Sequence, residues 1–419
     1  MSATHQRLKG KRIALLTLQH FANAPRAQKE SGALAFAGAE VTVLGSWWSR
    51  QKADEDLQLA DQLGITYVPL ISLFAPKRET FIPRLRARLA KSTYSSFGMV
   101  LPEAYGITAR RMQDAIRKLR PDLTMVHCEP GLWAGCRLLD EGFRVGIDFE
   151  DWFSEDLLPK DRVGRPVEAL ARAEKRLLHE GSVKFATTTA MGTALAEWAG
   201  IKSPPVTIPN CFPFSQAPQA EDPRRDQRDP DALSLYWFSQ TIGPGRGLET
   251  LADALTKLRG NWQLHLRGDV SRHGAWFEET FPQEIRGRVV LHAGVPNAEL
   301  AACSSGHDVG LALESPNCKS RDLTATNKIF EYLRCGLAVI ATSTKGQLEV
   351  MSKCPEAGWV IPPEDPVALA KVLQNCIDHR DEVDAAKEAA KKAASDVWSW
   401  EKYQPILIES IVRVEGLGD

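Results

Sequence analysis

With 419 residues, 43% of them hydrophobic and 25% charged, the chain has the make-up of a globular protein and the length of two domains of roughly 150–220 residues. A formal net charge of −1 gives no global attraction to nucleic acid, so any electrostatic function must be local. The eight cysteines (128, 136, 211, 303, 318, 335, 354 and 376) are scattered, form no C-x-x-C pair and lie mostly in apolar segments, which argues against a zinc site and a disulfide framework.

The opening residues, MSATHQRLKGKRIALLTLQHF, place positive charge before an apolar run. That run is only about six residues, short of the roughly 7–15 of a signal sequence, and no stretch of about 18 apolar residues follows anywhere. The chain therefore reads as cytoplasmic. In its first half, strands are expected at 12–18, 40–46, 67–70, 123–128, 144–149, 185–189 and 206–209, with helices over 26–37, 108–119, 166–180 and 191–199 between them. Several of these strands are almost continuously apolar, as in a parallel sheet covered on both faces. From Lys77 to Arg120 there are eleven Lys and Arg against three Asp and Glu. Within it, FIPRLRARLAKS places Phe81, Leu85 and Leu89 at helical spacing with Arg84, Arg88 and Lys91 on another face. Such a helix suits either an anionic membrane surface or packing on its own domain with a solvated basic face. The acidic run DFEDWFSED at 148–156 offers Asp148, Glu150 and Asp151 to a cation, but an acidic loop at a strand end is more often the wall of a cleft, and no metal is expected.

Residues 213–232, PFSQAPQAEDPRRDQRDPDA, have the composition of a linker. The strand–helix alternation then resumes, with strands expected at 233–239, 263–267, 288–293, 309–313, 338–342 and 358–361. Three loops of this half carry chemistry. QTIGPGRGLETL brings Gly243, Gly245 and Gly247 with Arg246 to a helix start, a setting for a diphosphate or simply a turn. RGDVSRHG puts Gly268 at a strand end. TATNKIFEYLRCGLAVIATS, residues 324–343, sets Asn327 and Lys328 in the first turn of a helix with Glu331 one turn below. A lysine there opposes the helix dipole and calls for an anion, while Glu331 can accept the hydroxyls of a ribose. A Lys328–Glu331 pair on a solvated helix is the plainer reading of the same spacing. The aromatic end of the chain, SDVWSWEKYQPILIESIVRV, needs burial for Trp398, Trp400 and Tyr403, either on its own domain or across on the first.

NKIFEYLRCGLAVIAT resembles the signature of family-4 retaining glycosyltransferases, of glycosyltransferase group 1. The resemblance extends along most of the chain: APRAQKESGALAFAGAEVTVLG is similar to that family's first helix and second strand, PDLTMVHCEPGLWAG to its histidine loop, VTIPNCFPF to the end of its acceptor-side domain, and YWFSQTIGPGRGLETLADAL to the opening of its donor-side domain. It implies a GT-B fold, two Rossmann-like doubly wound parallel-sheet domains facing across a cleft. These would be an acceptor-side domain at 1–212, a linker at 213–232, a nucleotide-sugar domain at 233–395, and a final helix at 396–419 crossing back to the first domain.

The activity implied is transfer of a sugar from a nucleotide-diphosphate sugar to an acceptor glycan or lipid-linked sugar, with retention and without metal or other cofactor, in cell-envelope or exopolysaccharide synthesis at the inner face of a membrane. A catalytically silent scaffold binding a sugar nucleotide or a partner transferase, or a sugar-nucleotide epimerase, is the alternative. The resemblance implies Glu331 for the ribose; Gly245, Arg246, Gly247, Asn327 and Lys328 for the diphosphate side; Gly268 beside the base; and His127 or Glu129 on the sugar side. It also exposes a departure, because Thr324 stands where an acid is usual and Glu314 is the upstream acid in a suitable strand context. The arginine usual in the loop after the first strand of the donor-side domain is missing as well, which brings Lys319 and Arg321 into consideration.

Overall fold

A computed structural model describes residues 6–158, 162–218 and 228–418 and divides the chain into two compact units, Met1–Ile208 with Tyr403–Asp419, and Pro209–Lys402. Residues 219–227 of the expected linker lie outside the described residues.

Seven strands build the first unit: β1 (Arg12–Leu16), β2 (Glu40–Trp47), β3 (Thr66–Ser72), β4 (Leu123–Val126), β5 (Val145–Phe149), β6 (Lys184–Ala186) and β7 (Val206–Thr207). They pair in parallel in the order β3-β2-β1-β4-β5-β6-β7. The second unit has six: β8 (Leu233–Thr241), β9 (Trp262–Asp269), β10 (Val289–His292), β11 (Val309–Ala312), β12 (Ala338–Thr342) and β13 (Gly358–Ile361). Their order is β10-β9-β8-β11-β12-β13, again parallel throughout. Each apolar run expected as a strand is one, and helices cover the sheets because a parallel crossover needs them.

Several strands end earlier than their apolar runs, for local reasons. The run at 185–189 stops at Ala186 because the Thr188 hydroxyl accepts the Met191 N–H at 3.0 Å and caps the next helix, Thr189–Ala199. The run at 123–128 stops at Val126 because Cys128 is the N-cap of the helix Glu129–Asp140. In the second unit, Leu235, Trp237, Leu264, Leu266, Leu311 and Ile340 turn to one side of the sheet and pack with Leu248, Leu251 and Leu369 of the covering helices. The other side of β8 and β9 holds Tyr236 and His265, with Tyr236 stacked on His307 at 4.4 Å. None of the eight cysteines is in a disulfide, and seven are buried.

In both sheets the strand order reverses direction beside the first strand, between β1 and β4 and between β8 and β11. Loops leaving the carboxyl ends of strands at such a reversal diverge to opposite faces and leave a crevice, where open α/β sheets take their ligands.

Candidate functional site

In the second unit the reversal brings together the loop after β8 and the residues after β11. Gly247 caps the helix Leu248–Leu255 at φ +78°, and a Cβ there would stand 2.2 Å from the Leu313 carbonyl oxygen, so only glycine lets the two loops meet. Gly245 belongs to the same turn, and its N–H is already taken by Glu249 Oε1 at 2.9 Å. Arg246 projects to solvent between them. Gly268 ends β9, where a Cβ would lie 2.3 Å from the Ser239 carbonyl oxygen, so β8 and β9 can close on each other.

Glu314, just past β11, is the centre of the cluster. Its Oε1 accepts from Lys328 Nζ at 2.5 Å and from the Thr326 hydroxyl at 3.1 Å. Burial pushes its carboxyl pKa up, but the attraction and hydrogen bond of Lys328, the Thr326 hydroxyl and the charge of Arg321 outweigh burial and hold it below 4.5. Arg246 feels the same neighbours: desolvation lowers its pKa, Glu314 raises it and Arg321 lowers it, with a net lowering. Arg321 sits in the short helix Lys319–Leu323, with NH1 3.4 Å from the Gly245 carbonyl. Three cations thus surround one carboxylate. Local charge is positive at the point where the sheet takes ligands, and an anion with several oxygens fits it.

The helix Asn327–Cys335 begins at this cluster, and no side chain caps its N-terminus. The anion that Lys328 requires there is Glu314, fourteen residues away, and not Glu331 as spacing alone suggests. Glu331 has no solvent exposure; its carboxylate receives Arg334 NH2 at 2.6 Å and the Cys335 thiol at 3.6 Å. The Arg334 guanidinium lies over the Phe212 ring, 4.5 Å from its centre. Asn327 occupies the first helical position beside Lys328. Gly245, Arg246, Gly247, Glu314, Asn327 and Lys328 therefore gather at the reversal, whereas Glu331 faces the interior of its own helix packing.

In the first unit His127 follows β4 and is buried, its N–H bonded to the Leu16 carbonyl at 3.0 Å. Its Nε2 lies 3.2 Å from Glu30 Oε2, and its Nδ1 lies 3.8 Å from Asp148 Oδ2 and 3.9 Å from Glu150 Oε1. Burial lowers the imidazole pKa, but Glu30, then Asp148 and Glu150, raise it to about 9, so at neutral pH the ring carries a proton. Asp148 is gripped through both oxygens by Arg26, at 2.6 and 2.8 Å, while Arg26 NH1 donates to the Ile208 carbonyl at 2.6 Å.

Ligand atoms of Glu30, His127 and Asp148 lie within 4.8 Å of one another, a spacing open to a metal ion, and this trio differs from the Asp148, Glu150, Asp151 set suggested by the acidic run. With Arg26 on both Asp148 oxygens, a proton on His127 supplies the positive charge that a cation would. Glu129 points elsewhere: it starts the helix Glu129–Asp140 and pairs with Arg165. Burial raises its pKa against the opposing pull of Arg165.

Sequence reasoning missed Arg26 and Glu30. They sit four apart on the helix Pro25–Phe36, and the signal was an oppositely charged pair one turn apart near the start of that helix. It also missed the fully buried Glu174, which accepts the Ser154 N–H at 3.1 Å and hydroxyl at 2.5 Å and is raised by burial to about 8.

The family described as glycosyl transferases group 1 matches residues 235–379, all within the second unit. Among solved structures the chain is similar to sucrose-phosphate synthase from Thermosynechococcus elongatus, with a TM-score of 0.72, 16% identity, and 95% of this chain and 98% of that one covered. It is similar to Anabaena HepE in complex with UDP and glucose, with a TM-score of 0.70, 17% identity, and coverage of 96% and 99%. It is also similar to a UDP-N-acetylglucosamine 2-epimerase, with a TM-score of 0.56, 13% identity, and coverage of 96% and 95%. No curated protein matches the sequence. At these identities the likeness speaks to architecture, and the fold is GT-B.

Proposed function

We propose that this GT-B chain, whose residues 235–379 match group 1 glycosyl transferases, is a retaining, family-4-like glycosyltransferase that moves a sugar from a nucleotide-diphosphate donor to a glycan or lipid-linked acceptor. Its place would be cell-envelope or exopolysaccharide synthesis, at the inner face of an anionic membrane reached through residues 77–120. The observation that carries the reading is the convergence of Arg246, Arg321 and Lys328 on the single carboxylate of Glu314 at the strand reversal of the second sheet.

Glu314 pairs with Lys328; a diphosphate entering the crevice takes over that cation together with Arg246 and the uncapped N-terminus beside Asn327. As the glycosidic bond to the leaving phosphate breaks, charge grows on the diphosphate, and fixed cations lower the barrier by meeting it there. Gly245 and Gly247 let the backbone approach, Gly268 borders the base, and Glu331 holds the ribose after exchanging Arg334 for hydroxyls. His127 or Glu129 is the first-unit residue assigned to the transferred sugar, Glu129 only by leaving Arg165. No metal or other cofactor is required by this scheme.

HepE is seen with UDP and glucose, which makes UDP the first base to test. Calorimetric titration with UDP, GDP and ADP should show one of them binding, and Arg246→Ala and Lys328→Ala should each weaken it by about 10-fold or more, as for a charged hydrogen bond worth roughly 1.5–3 kcal/mol. Failure of all three nucleotides to bind, or unaltered affinity in both variants, would sink the reading. The likeness to an epimerase favours a second reading, sugar-nucleotide epimerisation. An epimerised donor formed without any acceptor would establish that one instead. Binding without any turnover would identify a scaffold.

A further inference from the structure

The helix Lys77–Phe97 packs on the first unit through Thr80 and Ala90, both buried. At 100° per residue, Phe81, Leu85, Leu89 and Ile82 fall together on the opposite arc. They are turned to solvent, with exposures of 63, 42, 54 and 57%, and Phe97, the last residue of the helix, and Met99 just beyond it are exposed as well. Isolated apolar side chains on a surface are ordinary, but four large ones on one arc of a helix mark an interaction surface.

Charge identifies the partner. Arg84, Arg88 and Lys91 run along one edge of the stripe and Arg86 along the other, all exposed. Among the described residues Arg86, Arg88 and Lys91 have no ion-pair partner, and Arg84 is held only by the Leu73 carbonyl at 3.2 Å. The rest of the basic stretch is used differently. Arg110 pairs with Glu103, Arg111 donates to the Leu70 carbonyl, and Arg117 pairs with Glu141 and Asp114. An apolar stripe bordered on both sides by uncommitted cations matches the boundary between acyl chains and anionic headgroups.

We propose that the helix Lys77–Phe97 lies in the plane of an anionic lipid bilayer, with Phe81, Ile82, Leu85 and Leu89 entering the acyl boundary and Arg84, Arg86, Arg88 and Lys91 at the headgroup phosphates. This narrows the membrane contact of the proposed function to one helix and rests on that reading only for the nature of the acceptor.

The test is co-sedimentation of the full chain with vesicles of phosphatidylglycerol and phosphatidylcholine, beside vesicles of phosphatidylcholine alone, with UDP binding measured on the same samples. The full chain should bind the anionic vesicles at low salt and lose affinity as salt rises. Leu85→Glu with Leu89→Glu should lower that affinity at least 10-fold, and Arg86→Ala with Arg88→Ala several-fold, while Arg110→Ala leaves it unchanged. Nucleotide affinity should be the same in all of them. Absence of vesicle binding at low salt, or equal binding by the Leu85→Glu, Leu89→Glu variant, overturns the proposal whatever UDP does. A dimer that this variant converts to a monomer also overturns it, because a second copy would then cover the stripe. Vesicle binding intact with no nucleotide bound would leave the helix assignment standing and remove the transferase reading alone.

Discussion

Lys328 sits where a helix dipole repels it and stays because Glu314 reaches across to it. The pair sets a sign that can be measured. Glu314 is held below 4.5, so its contribution to stability is complete above that value and is lost as pH falls through the lowered one. In Lys328→Met burial acts without its main opponent and the carboxyl shifts upward, so less of that contribution remains to be lost at low pH. Urea unfolding across the carboxylate range should therefore show a shallower loss of stability towards low pH in the variant; an unchanged slope would mean that Lys328 is not what holds Glu314.

His127 has the opposite sign. Its pKa is raised from 6.5 to about 9, so the stabilisation is whole below 6.5 and vanishes as pH climbs through about 9. Glu30→Gln removes the first-named attraction and should bring the imidazole titration, followed by NMR, down from about 9. A wild-type ring titrating at 6.5 or lower would contradict the buried charge cluster.

Within elements, the helix Asn327–Cys335 carries a buried ion pair between Glu331 and Arg334. Arg334→Ala takes the cation away from a buried carboxylate, a change that usually costs about 3–5 kcal/mol, and thermal unfolding should show a correspondingly large drop in Tm. The same helix shows where sequence reading stops. Glu331 has a cation three residues away on either side, Lys328 and Arg334, and spacing cannot choose between them. The choice is made by Glu314 arriving from the end of β11, a contact the sheet creates.

Arg26 and Glu30 teach the same lesson. Four apart on a helix they look like a solvated pair, yet the fold sends one to Asp148 and the other to His127. Strands were legible because burial on both faces writes itself as an unbroken apolar run. Their ends were not, where a threonine such as Thr188 looks like strand but caps a helix. The glycines after β8 were legible as a turn, but the reason only Gly247 fits was not, since the obstacle is a carbonyl sixty-six residues on, at Leu313.

At the scale of the molecule, the chain leaves the first unit after Ile208 and rejoins it at Tyr403, partway along the helix Trp400–Val412. Trp398 stays with the second unit, buried edge-on to Phe330, while Leu407, Ile408 and Ile411 are buried among the residues that return, and Arg7 pairs with Glu409. Ending the chain after Lys402 strips the first unit of five buried aliphatic side chains, Leu407, Ile408, Ile411, Val414 and Leu417, each worth roughly 1.5–3 kcal/mol of burial. Calorimetry of that truncation should show a transition shifted sharply downward beside one that hardly moves. A single unshifted transition would mean that the final segment contributes nothing to the first unit.

That return has a consequence for synthesis. A polypeptide is built from its N-terminus, so every residue of the second unit has been joined to the chain before Tyr403–Asp419 is made. The unit that begins the chain is the last able to complete its core. Until that segment is made, the places that Leu407, Ile408 and Ile411 fill in the first unit have no side chains to occupy them.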